Sequence, residues 1–347
     1  MRILIIGGTG IISHYVTEKY RNMGHSVTVI NRGNRKYLNI GNVEYIAGDS
    51  NNKNSLMDVV GNRTFDKIID FTTFDKETMQ MKIEVLSSKC NHYIFISSVA
   101  VYERNTDAEC YTENMPIGNS KWLYGFRKSE CEKVLRNTSG KNFHYTIIRP
   151  GLTCGEMFIP YSPIDTYGMP GYLTYCILAG KEILTTNIGE DEMQVMHAAD
   201  MAENIYNLLC TNECVNECFN LSGNEYITAN QILQKLVDSL GKNAIACYVP
   251  RNELVQNTMI KPLIEGGWHE RYSNRKAKEI LGSKYLTSRS VLDNLNESIE
   301  FNLNHREYVG WPKASEECIQ YIIENAKLNG QADLKHIASH NKPKGNN

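Results

Sequence analysis

The sequence predicts an α/β fold: a Rossmann-type doubly wound parallel sheet with a smaller mixed C-terminal substrate-binding domain. Over the first 150 residues, short β-branched runs alternate with longer helical patterns, and such alternation builds βαβ units around a parallel sheet. A glycine-rich turn directly follows the first of these runs. After Gly151 the alternation gives way to an irregular segment punctuated by prolines and glycines between residues 160 and 171.

The strands predicted in the first domain are short apolar runs, and the helices are longer segments with apolar residues at helical spacing. The predicted strands are Ile3 to Ile6, Ser26 to Ile30, Val43 to Ile46, Lys67 to Phe71, Tyr93 to Ser97 and Tyr145 to Ile148. The predicted helices are Ile11 to Met23, Lys76 to Ser87 and Lys121 to Leu135. Gly24 directly follows the first helix and suits a helix C-terminal cap.

The chain divides into three predicted parts. Residues 1–150 form the nucleotide-binding domain, with allowance for later segments that return to it, and residues 151–329 form the substrate-binding part. Helical patterns recur in this part at Ala199 to Leu209, Asn230 to Leu240, Arg275 to Leu281 and Ser288 to Phe301. Residues 330–347 are polar and rich in Lys and Asn, so we expect a mobile tail.

Charge and composition narrow the function classes. The net charge is −2 and Lys and Arg are scattered, which argues against nucleic acid and membrane surfaces as partners. Met1 leads into an apolar run too short for a signal peptide, and no later stretch is long enough to span a membrane. We therefore expect a cytoplasmic protein whose ten cysteines are reduced.

No metal site is predicted from the cysteines or histidines. Cys210, Cys214 and Cys218 stand at steps of four, but no C-x-x-C motif or supporting histidine pair accompanies them. His336 and His340 are also four residues apart in the polar tail, with no Glu between them to act as a base.

The glycine-rich turn predicts a dinucleotide site. It reads Gly7-Gly8-Thr9-Gly10-Ile11-Ile12-Ser13, between the first strand and the first helix. Glycines let the backbone approach a diphosphate, whose charge the N–H groups at the helix N-terminus then stabilise. The predicted contacts are Gly7, Thr9, Gly10, Ile11 and Ile12. Ser13 replaces the usual third glycine and is small enough to be tolerated.

The second strand ends in Asn31 and Arg32, where an acidic residue would bind the ribose 2′-hydroxyl of NAD. A guanidinium suits the 2′-phosphate of NADP instead, so NADP is favoured and NAD remains the alternative. Further predicted cofactor contacts lie at the ends of the third, fourth and sixth strands and on the predicted helix Lys121 to Leu135. They are Asp49, Ser50, Phe71, Thr72, Thr73, Tyr124, Lys128 and Pro150. Asp70, next to Phe71, is also expected to face the cofactor.

Three residues predict the catalytic chemistry. Ser98 follows the fifth strand, and Tyr124 and Lys128 stand 26 and 30 residues later on one face of a predicted helix. A lysine ammonium beside a phenol favours the phenolate, which lets Tyr124 act as general acid or base at the reacting oxygen. Ser98 would hold that oxygen by a hydrogen bond.

Several motifs together resemble the extended short-chain dehydrogenase/reductases, the NAD-dependent epimerases and dehydratases that mostly act on nucleotide sugars. The motifs are Gly7 to Ser13, Ser97 and Ser98 with Val101 and Tyr102, Tyr124 with Lys128, Arg149 to Gly151, His197 to Ala202, and Ser273 to Gly282. The resemblance covers roughly residues 1 to 305. It implies the catalytic roles above for Ser98, Tyr124 and Lys128, and a homodimer paired through the helices that contain Tyr102 to Leu135.

Two departures from that family pattern bear on the reaction. Val99 and Ala100 stand where sugar 4,6-dehydratases carry an Asp-Glu pair, so such a dehydration is disfavoured. Met193 stands where members that bind nucleotide diphosphates often carry an Arg four residues before the motif His. Arg251 or Arg271 is a candidate to compensate, although each also suits an ordinary surface charge.

Three functions remain open from the sequence. The leading one is an epimerase that oxidises a secondary alcohol with a tightly held cofactor and returns the hydride to the other face of the ketone. The second is an NADPH-dependent ketoreductase with an exchangeable cofactor. The third is a non-catalytic RNA-binding protein, because some relatives with an opening like Met1 to Gly33 resemble chloroplast RNA-binding proteins.

Overall fold

The computed structural model describes residues 1–104, 108–138, 143–161, 171–186, 189–250, 270–305 and 313–340. Within it the chain forms two compact units. The first unit comprises Met1–Gly151, Ala198–Gly223 and Arg271–Ser288, and the second comprises Leu152–His197, Asn224–Glu270 and Arg289–Asn347. Two later segments thus return to the first unit.

The strands, in chain order, are β1 (Arg2–Ile6), β2 (Ser26–Asn31), β3 (Glu44–Ala47), β4 (Phe65–Asp70), β5 (Cys90–Ile96), β6 (His144–Pro150), β7 (Leu152–Cys154), β8 (Glu182–Thr186), β9 (Glu192–His197), β10 (Glu217–Leu221), β11 (Glu225–Thr228), β12 (Ala244–Val249) and β13 (Asp333–Ile337). The helices are α1 (Ile11–Asn22), α2 (Lys53–Val60), α3 (Lys76–Leu86), α4 (Leu123–Arg136), α5 (Tyr172–Ala179), α6 (Ala198–Leu209), α7 (Ala229–Leu240), α8 (Arg275–Leu281), α9 (Val291–Asn304) and α10 (Lys313–Leu328).

A seven-stranded sheet organises the first unit. Its order is β10-β6-β5-β4-β1-β2-β3, and every neighbouring pair is parallel. The order reverses beside β1, which lies between β2 and β4, and this is the switch point where doubly wound sheets open a crevice at the carboxyl ends of their strands. The predicted Rossmann-type parallel sheet is confirmed.

The interior of this sheet is apolar because helices cover both of its faces. Ile3, Leu4, Ile5 and Ile6 in β1 are completely buried. The helix α3 buries Met79, Lys82, Ile83 and Leu86, and these positions follow the spacing of a core-facing stripe. Lys82 is therefore a cation at a position that the helical period assigns to the core.

The sequence pattern did not predict α2. Asn52 caps this eight-residue helix by accepting a hydrogen bond from the Ser55 N–H, a local signal typical of helix starts. The helix α4 begins at Leu123, two residues after the predicted Lys121. Asn119 accounts for the later start, because its side chain accepts hydrogen bonds from the N–H groups of Lys121 and Trp122.

The second unit contains two three-stranded sheets, β11-β9-β7 and β13-β12-β8. Residues 333–337, which the composition assigned to a polar tail, form β13 and pair antiparallel with β12. His340 continues this attachment, since its N–H donates to Asp238 Oδ1 at 2.7 Å. In the ranges that the structure describes, no helix is both long and apolar enough to cross a membrane.

Candidate active site

The candidate site lies in the first unit, at the carboxyl edge of its parallel sheet. Four adjacent strands end there, and each is followed directly by residues predicted to bind or react. Gly7 follows β1, Arg32 follows β2, Phe71 follows β4, and Ser98 lies two residues beyond β5. The strand register therefore brings together segments that are far apart in the sequence.

The glycine turn is held in a shape that only glycine adopts readily. Gly7 and Gly8 have φ values of 116° and 69°, in the left-handed region. A Cβ on Gly8 would lie 2.4 Å from Val29 Cγ1, and one on Gly7 would lie 3.2 Å from the Phe71 side chain. The turn thus packs tightly against β2 and against the segment after β4.

Ser13 has a larger part in this turn than its small size alone suggested. It is buried, and its hydroxyl accepts a hydrogen bond from the Gly10 N–H at 2.8 Å. This bond ties the turn to the first residues of α1. The N–H groups of Ile11 and Ile12 follow in the first helical turn, where an α-helix has no acceptor of its own.

Among the residues at the end of β2 and after it, Asn31 and Arg35 hydrogen-bond to the backbone, whereas the Arg32 side chain is exposed. The Asn31 side-chain oxygen accepts from the Gly33 N–H at 2.8 Å and turns the chain out of the strand. Arg35 Nη1 donates to the Thr9 carbonyl at 3.2 Å and so braces the glycine turn. Arg32 is exposed at the sheet edge, in the place where a 2′-phosphate is predicted to bind.

The residues after β3 lie near the segment after β4. The Asp49 carboxylate accepts from the Asn51 N–H at 3.0 Å. Ser50 is buried, and its hydroxyl lies 3.1 Å from the Thr72 hydroxyl. The structure therefore brings Ser50 and Thr72 together, as expected of two groups that line one site.

Asp70 does not face the cofactor side, contrary to the expectation for the end of β4. It is completely buried, and its carboxylate pairs with Lys82 Nζ at 3.1 Å. It also accepts hydrogen bonds from the Tyr93 and Thr73 hydroxyls and from the Thr72 N–H. Burial alone would raise the pKa of the Asp70 carboxyl, but the Lys82 ammonium and these hydrogen bonds hold that pKa below its usual value.

The catalytic pair lies on α4, with Tyr124 one turn before Lys128. Lys128 is only 2% exposed, and its ammonium donates to the Ile96 carbonyl at 2.8 Å. Burial lowers the pKa of Lys128 from 10.5 to about 8, and the Asp70 carboxylate opposes part of this decrease. The lysine can therefore change charge near neutral pH, at a distance of one helical turn from the phenol.

Phe74 joins the two catalytic side chains and was not predicted from the sequence. Its ring centroid lies 4.5 Å from Lys128 Nζ and 6.3 Å from the Tyr124 ring, and its side chain is 47% exposed. The Trp122 ring lies 5.0 Å from the Tyr124 ring. An aromatic residue shortly after the Thr72-Thr73 pair was the available signal, but only the fold shows what it contacts.

Ser98 and the start of α4 are joined by a close backbone contact. The Ser98 hydroxyl accepts from the Ala100 N–H at 3.1 Å, at the start of a short 3-10 helix, Val99–Val101. A Cβ on Gly125 would lie 2.0 Å from the Ala100 carbonyl oxygen, so only glycine allows α4 to approach so closely. Asn119 Nδ2 donates to the same carbonyl at 2.7 Å. Tyr124 is thereby placed beside the strand end that carries Ser98.

A second buried ion pair anchors α4 from the other side. Glu132 is completely buried and accepts two hydrogen bonds from Arg149, at 2.9 and 2.6 Å, and one from the Ser97 hydroxyl at 2.7 Å. Arg149 also donates to the Tyr102 hydroxyl at 2.9 Å. Pro150 is buried in the last position of β6. These contacts fix α4 to the sheet near Ser98.

The sequence also singled out Arg251, Arg271 and Met193. Arg251 lies outside the described residues, and Arg271 is exposed. Met193 is completely buried in β9. No group of three or more His, Cys, Asp or Glu residues in the described part of the chain could hold a metal ion.

Comparisons with known proteins agree with this architecture. The profile of the NAD dependent epimerase/dehydratase family matches residues 3–221. One curated relative is the chloroplast stem-loop binding protein of 41 kDa b from Arabidopsis thaliana, which is 25% identical over 298 residues, covering 82% of this chain and 75% of the relative.

Two solved structures share the fold. UDP-glucose 4-epimerase from Thermotoga maritima, solved with UDP-glucose, has a TM-score of 0.71 and 20% identity, covering 88% of this chain and 99% of its own. UDP-glucuronic acid 4-epimerase from Bacillus cereus, solved with UDP-glucuronic acid and NAD, has a TM-score of 0.67 and 17% identity, covering 88% and 99%. At these identities the likeness shows the fold.

Proposed function

Because the chain belongs to the NAD dependent epimerase/dehydratase family, we propose that it transfers a hydride at an alcohol or ketone carbon of a sugar-like substrate. One observation carries the proposal: a buried lysine with its pKa lowered to about 8 lies one helical turn from Tyr124 at the sheet's carboxyl edge. Lys82 is also buried, but it is paired with the Asp70 carboxylate at 3.1 Å, whereas Lys128 donates to the main-chain carbonyl of Ile96.

The glycine turn fits a nicotinamide dinucleotide. A side chain on Gly8 would collide with Val29, and one on Gly7 would make a tight contact with Phe71, so the backbone of the turn stays without side chains. The N-terminus of α1 supplies unpaired N–H groups and a positive dipole end for the diphosphate. We assign the dinucleotide to Gly7, Thr9, Gly10, Ile11 and Ile12, in a family whose members depend on NAD.

Further cofactor contacts are proposed beyond the turn. They are Asn31, Arg32, Asp49, Ser50, Phe71, Thr72, Thr73, Tyr124, Lys128 and Pro150. Arg32 is the candidate for a 2′-phosphate, since Arg35 already donates to Thr9. NADP therefore stays the favoured form, with NAD as the alternative, and the relative from Bacillus cereus was solved with NAD.

The residues of this chain divide the chemistry among them. The bound nicotinamide supplies the position that accepts or returns the hydride. Tyr124 takes the proton from the substrate hydroxyl, or returns it to the ketone oxygen, as general base or acid. Lys128 lowers the energy of the phenolate by its nearby positive charge, and Ser98 donates a hydrogen bond to the same substrate oxygen. Epimerisation and ketone reduction use these groups alike.

The substrate is proposed to be a sugar, with or without a linked nucleotide. The two solved relatives carry UDP-glucose and UDP-glucuronic acid. Met193 is buried where an Arg would bind a nucleotide diphosphate, which favours a substrate that makes few contacts of that kind. Val99 and Ala100 offer no acid or base, so 4,6-dehydration stays disfavoured.

The nucleotide that co-purifies with the protein tests this proposal. Chromatography of the supernatant after denaturation identifies any retained NAD(H) or NADP(H), and fluorescence titration gives the affinities for NADPH and NADH. We expect Arg32→Ala to weaken NADPH binding about 10- to 100-fold, as loss of charge-assisted hydrogen bonds does, while NADH binding is unchanged. Lys133→Ala, which removes an exposed positive charge from α4, is the control.

The result also separates the two catalytic alternatives. An epimerase retains its cofactor through each turnover, whereas a reductase exchanges it. Retained NAD(H), together with an inert Arg32→Ala change, would indicate an epimerase and contradict the NADP preference. A protein that purifies empty and binds NADPH through Arg32 would indicate a ketoreductase. A protein that binds neither nucleotide contradicts hydride transfer altogether.

Binding of stem-loop RNA is the second candidate function. It is favoured by the similarity to the Arabidopsis stem-loop binding protein over 82% of this chain. Against it stand the net charge of −2 and the buried Lys128, which a phosphate-binding surface would expose.

A filter-binding assay with a labelled RNA stem-loop tests that candidate. Phosphate contacts release counterions, so real RNA binding weakens steeply between 50 and 200 mM salt, by about 10³-fold or more for six contacts. We expect no salt-sensitive binding in the micromolar range. Tight binding whose affinity decreases with salt in this way would favour RNA binding over hydride transfer as the function.

A further inference from the structure

The first unit buries an ion pair that the proposed chemistry does not use. Asp70 at the end of β4 and Lys82 on α3 are both 0% exposed, with Lys82 Nζ 3.1 Å from the carboxylate. Buried ion pairs add little net stability compared with apolar side chains of similar volume, because both charges lose their hydration. The position of Asp70, directly before the site residues Phe71 to Thr73, indicates the role of the pair better than its effect on stability does.

The ion pair holds the segment after β4, residues 71–74. The Asp70 carboxylate accepts from the Thr72 N–H at 2.8 Å, and Lys82 Nζ donates to the Thr72 hydroxyl at 2.8 Å. Thr72 Cγ2 lies 3.2 Å from the position of a Cβ on Gly7. At its other end the segment carries Phe74, whose ring lies over the Lys128 ammonium. The held segment therefore touches both the glycine turn and the catalytic pair.

The same two charges act on Lys128. Four ionisable groups from three elements influence this lysine: Asp70 from β4, Lys82 from α3, and Cys131 and Glu132 from α4. Asp70 favours the ammonium form of Lys128, whereas Lys82 disfavours it. Glu132 is already bound by Arg149 through two hydrogen bonds. Asp70 and Lys82 are thus two oppositely charged groups that act on Lys128 from outside its own helix.

We propose that Asp70 and Lys82 are positioning residues for the catalytic pair. Their ion pair holds the segment 71–74 between the glycine turn and Tyr124, and their charges act in opposite directions on the ammonium of Lys128. The purpose of this arrangement in hydride transfer rests on the proposed function. The charge coupling itself is a property of the folded chain and is measurable without substrate or cofactor.

The test is a titration of Lys128 by NMR in protein labelled with 13C at lysine Cε. The spectrum of Lys128→Met identifies the signal by its absence. Asp70→Asn is expected to lower the midpoint of Lys128 by about 1 pH unit, and Lys82→Met is expected to raise it by less, because Asp70 has the larger electrostatic effect on Lys128. Glu84→Gln, which removes an exposed carboxylate from the same helix as Lys82, leaves the midpoint unchanged.

The sign of the two shifts decides the outcome. A variant that only loosened the fold would expose Lys128 and move its midpoint upward whichever residue was replaced. Midpoints that move in the same direction, or not at all, therefore overturn the proposal. If Asp70→Asn fails to fold, Lys82→Met is read together with amide hydrogen exchange in α4: a higher midpoint with wild-type exchange rates supports the coupling. A higher midpoint with faster exchange, or an unchanged or lower midpoint, overturns it.

The pH dependence of turnover separates this inference from the proposed function. If Lys128 must be charged to assist Tyr124, the alkaline limb of kcat moves to lower pH in Asp70→Asn and to higher pH in Lys82→Met. If the NMR midpoints shift in opposite directions but the pH dependence of kcat does not change, the pair has no role in catalysis. Loss of hydride transfer as a function, with the NMR shifts intact, would overturn the proposed function and leave the charge coupling standing.

Discussion

Replacing Tyr124 by Phe is expected to slow hydride transfer by about 10²- to 10⁴-fold, the usual contribution of a positioned general acid or base. The phenylalanine ring keeps the contacts of the tyrosine ring with Phe74 and Trp122, so only the hydroxyl is lost. Because Tyr124 is also a proposed cofactor contact, nucleotide affinity should fall by at most about 10-fold, the value of one hydrogen bond. The measurement is the rate of change of bound nicotinamide fluorescence with a sugar or nucleotide sugar that the wild type turns over.

The matched control is Tyr321→Phe, which removes a hydroxyl from an exposed tyrosine of the second unit. It should turn over at the wild-type rate. A Tyr124→Phe protein that keeps that rate would show that another group handles the proton. A loss of nucleotide affinity as large as the loss of rate would instead indicate that Tyr124 serves cofactor binding alone.

The sheet was predictable because its signals are local. Each strand of the first domain is a short apolar run, and each predicted helix has its own period of apolar residues. The doubly wound arrangement could then be predicted from the glycine turn, because that turn occurs between the first strand and first helix of such a fold. The missed helix α2 spans only eight residues, and β13 is a polar strand whose formation depends on pairing with β12.

The site was predictable only where one segment carries the whole signal. The glycine turn, and Tyr124 with Lys128, are each defined by spacing within one element. The Asp70 contact with Lys82 joins a strand end to a neighbouring helix, so no spacing in the sequence reveals it. One clue was available, since Lys82 stands in line with the buried Met79 and Leu86 on α3, where an apolar residue is expected.

The orientation of Asp70 shows how such a contact changes a prediction. An acidic residue at a strand end beside the cofactor turn suggests a ligand-binding group. Here the buried ammonium of Lys82 draws the carboxylate inward, because an unpaired buried cation would be strongly destabilising. Phe71 and Thr72 are left facing the glycine turn. The cofactor contacts proposed for this segment are thus Phe71, Thr72 and Thr73 rather than the Asp70 carboxylate.

Lys128→Met is expected to raise the free energy of unfolding at pH 7 while it removes hydride transfer. The folded-state pKa of Lys128 is lowered from 10.5 to about 8, so burying the charged form destabilises the native state. At 1.36 kcal/mol per pH unit the gain from removing the charge is at most about 3 kcal/mol. The lost hydrogen bond to the Ile96 carbonyl offsets about 1 kcal/mol of this gain.

The pH dependence of that gain identifies its cause. Below about pH 8 Lys128 is charged in both the folded and unfolded states, so the full destabilisation is present in the wild type. Between about pH 8 and 10.5 the folded state loses this proton before the unfolded state does, and the wild type gains stability relative to Lys128→Met. The difference in unfolding free energy should shrink across this window and reverse by about 1 kcal/mol above it, because the wild type keeps the hydrogen bond to the Ile96 carbonyl.

Chemical denaturation of both proteins at pH 7 and pH 10 measures this difference, with the exposed Lys121→Met as the control that should show no such pH dependence. A Lys128→Met protein that is less stable than the wild type at pH 7 would mean that the lysine is kept for the fold. A more stable but inactive protein would mean that the chain retains a destabilising buried charge because the reaction requires it, which is the relation expected of a catalytic group.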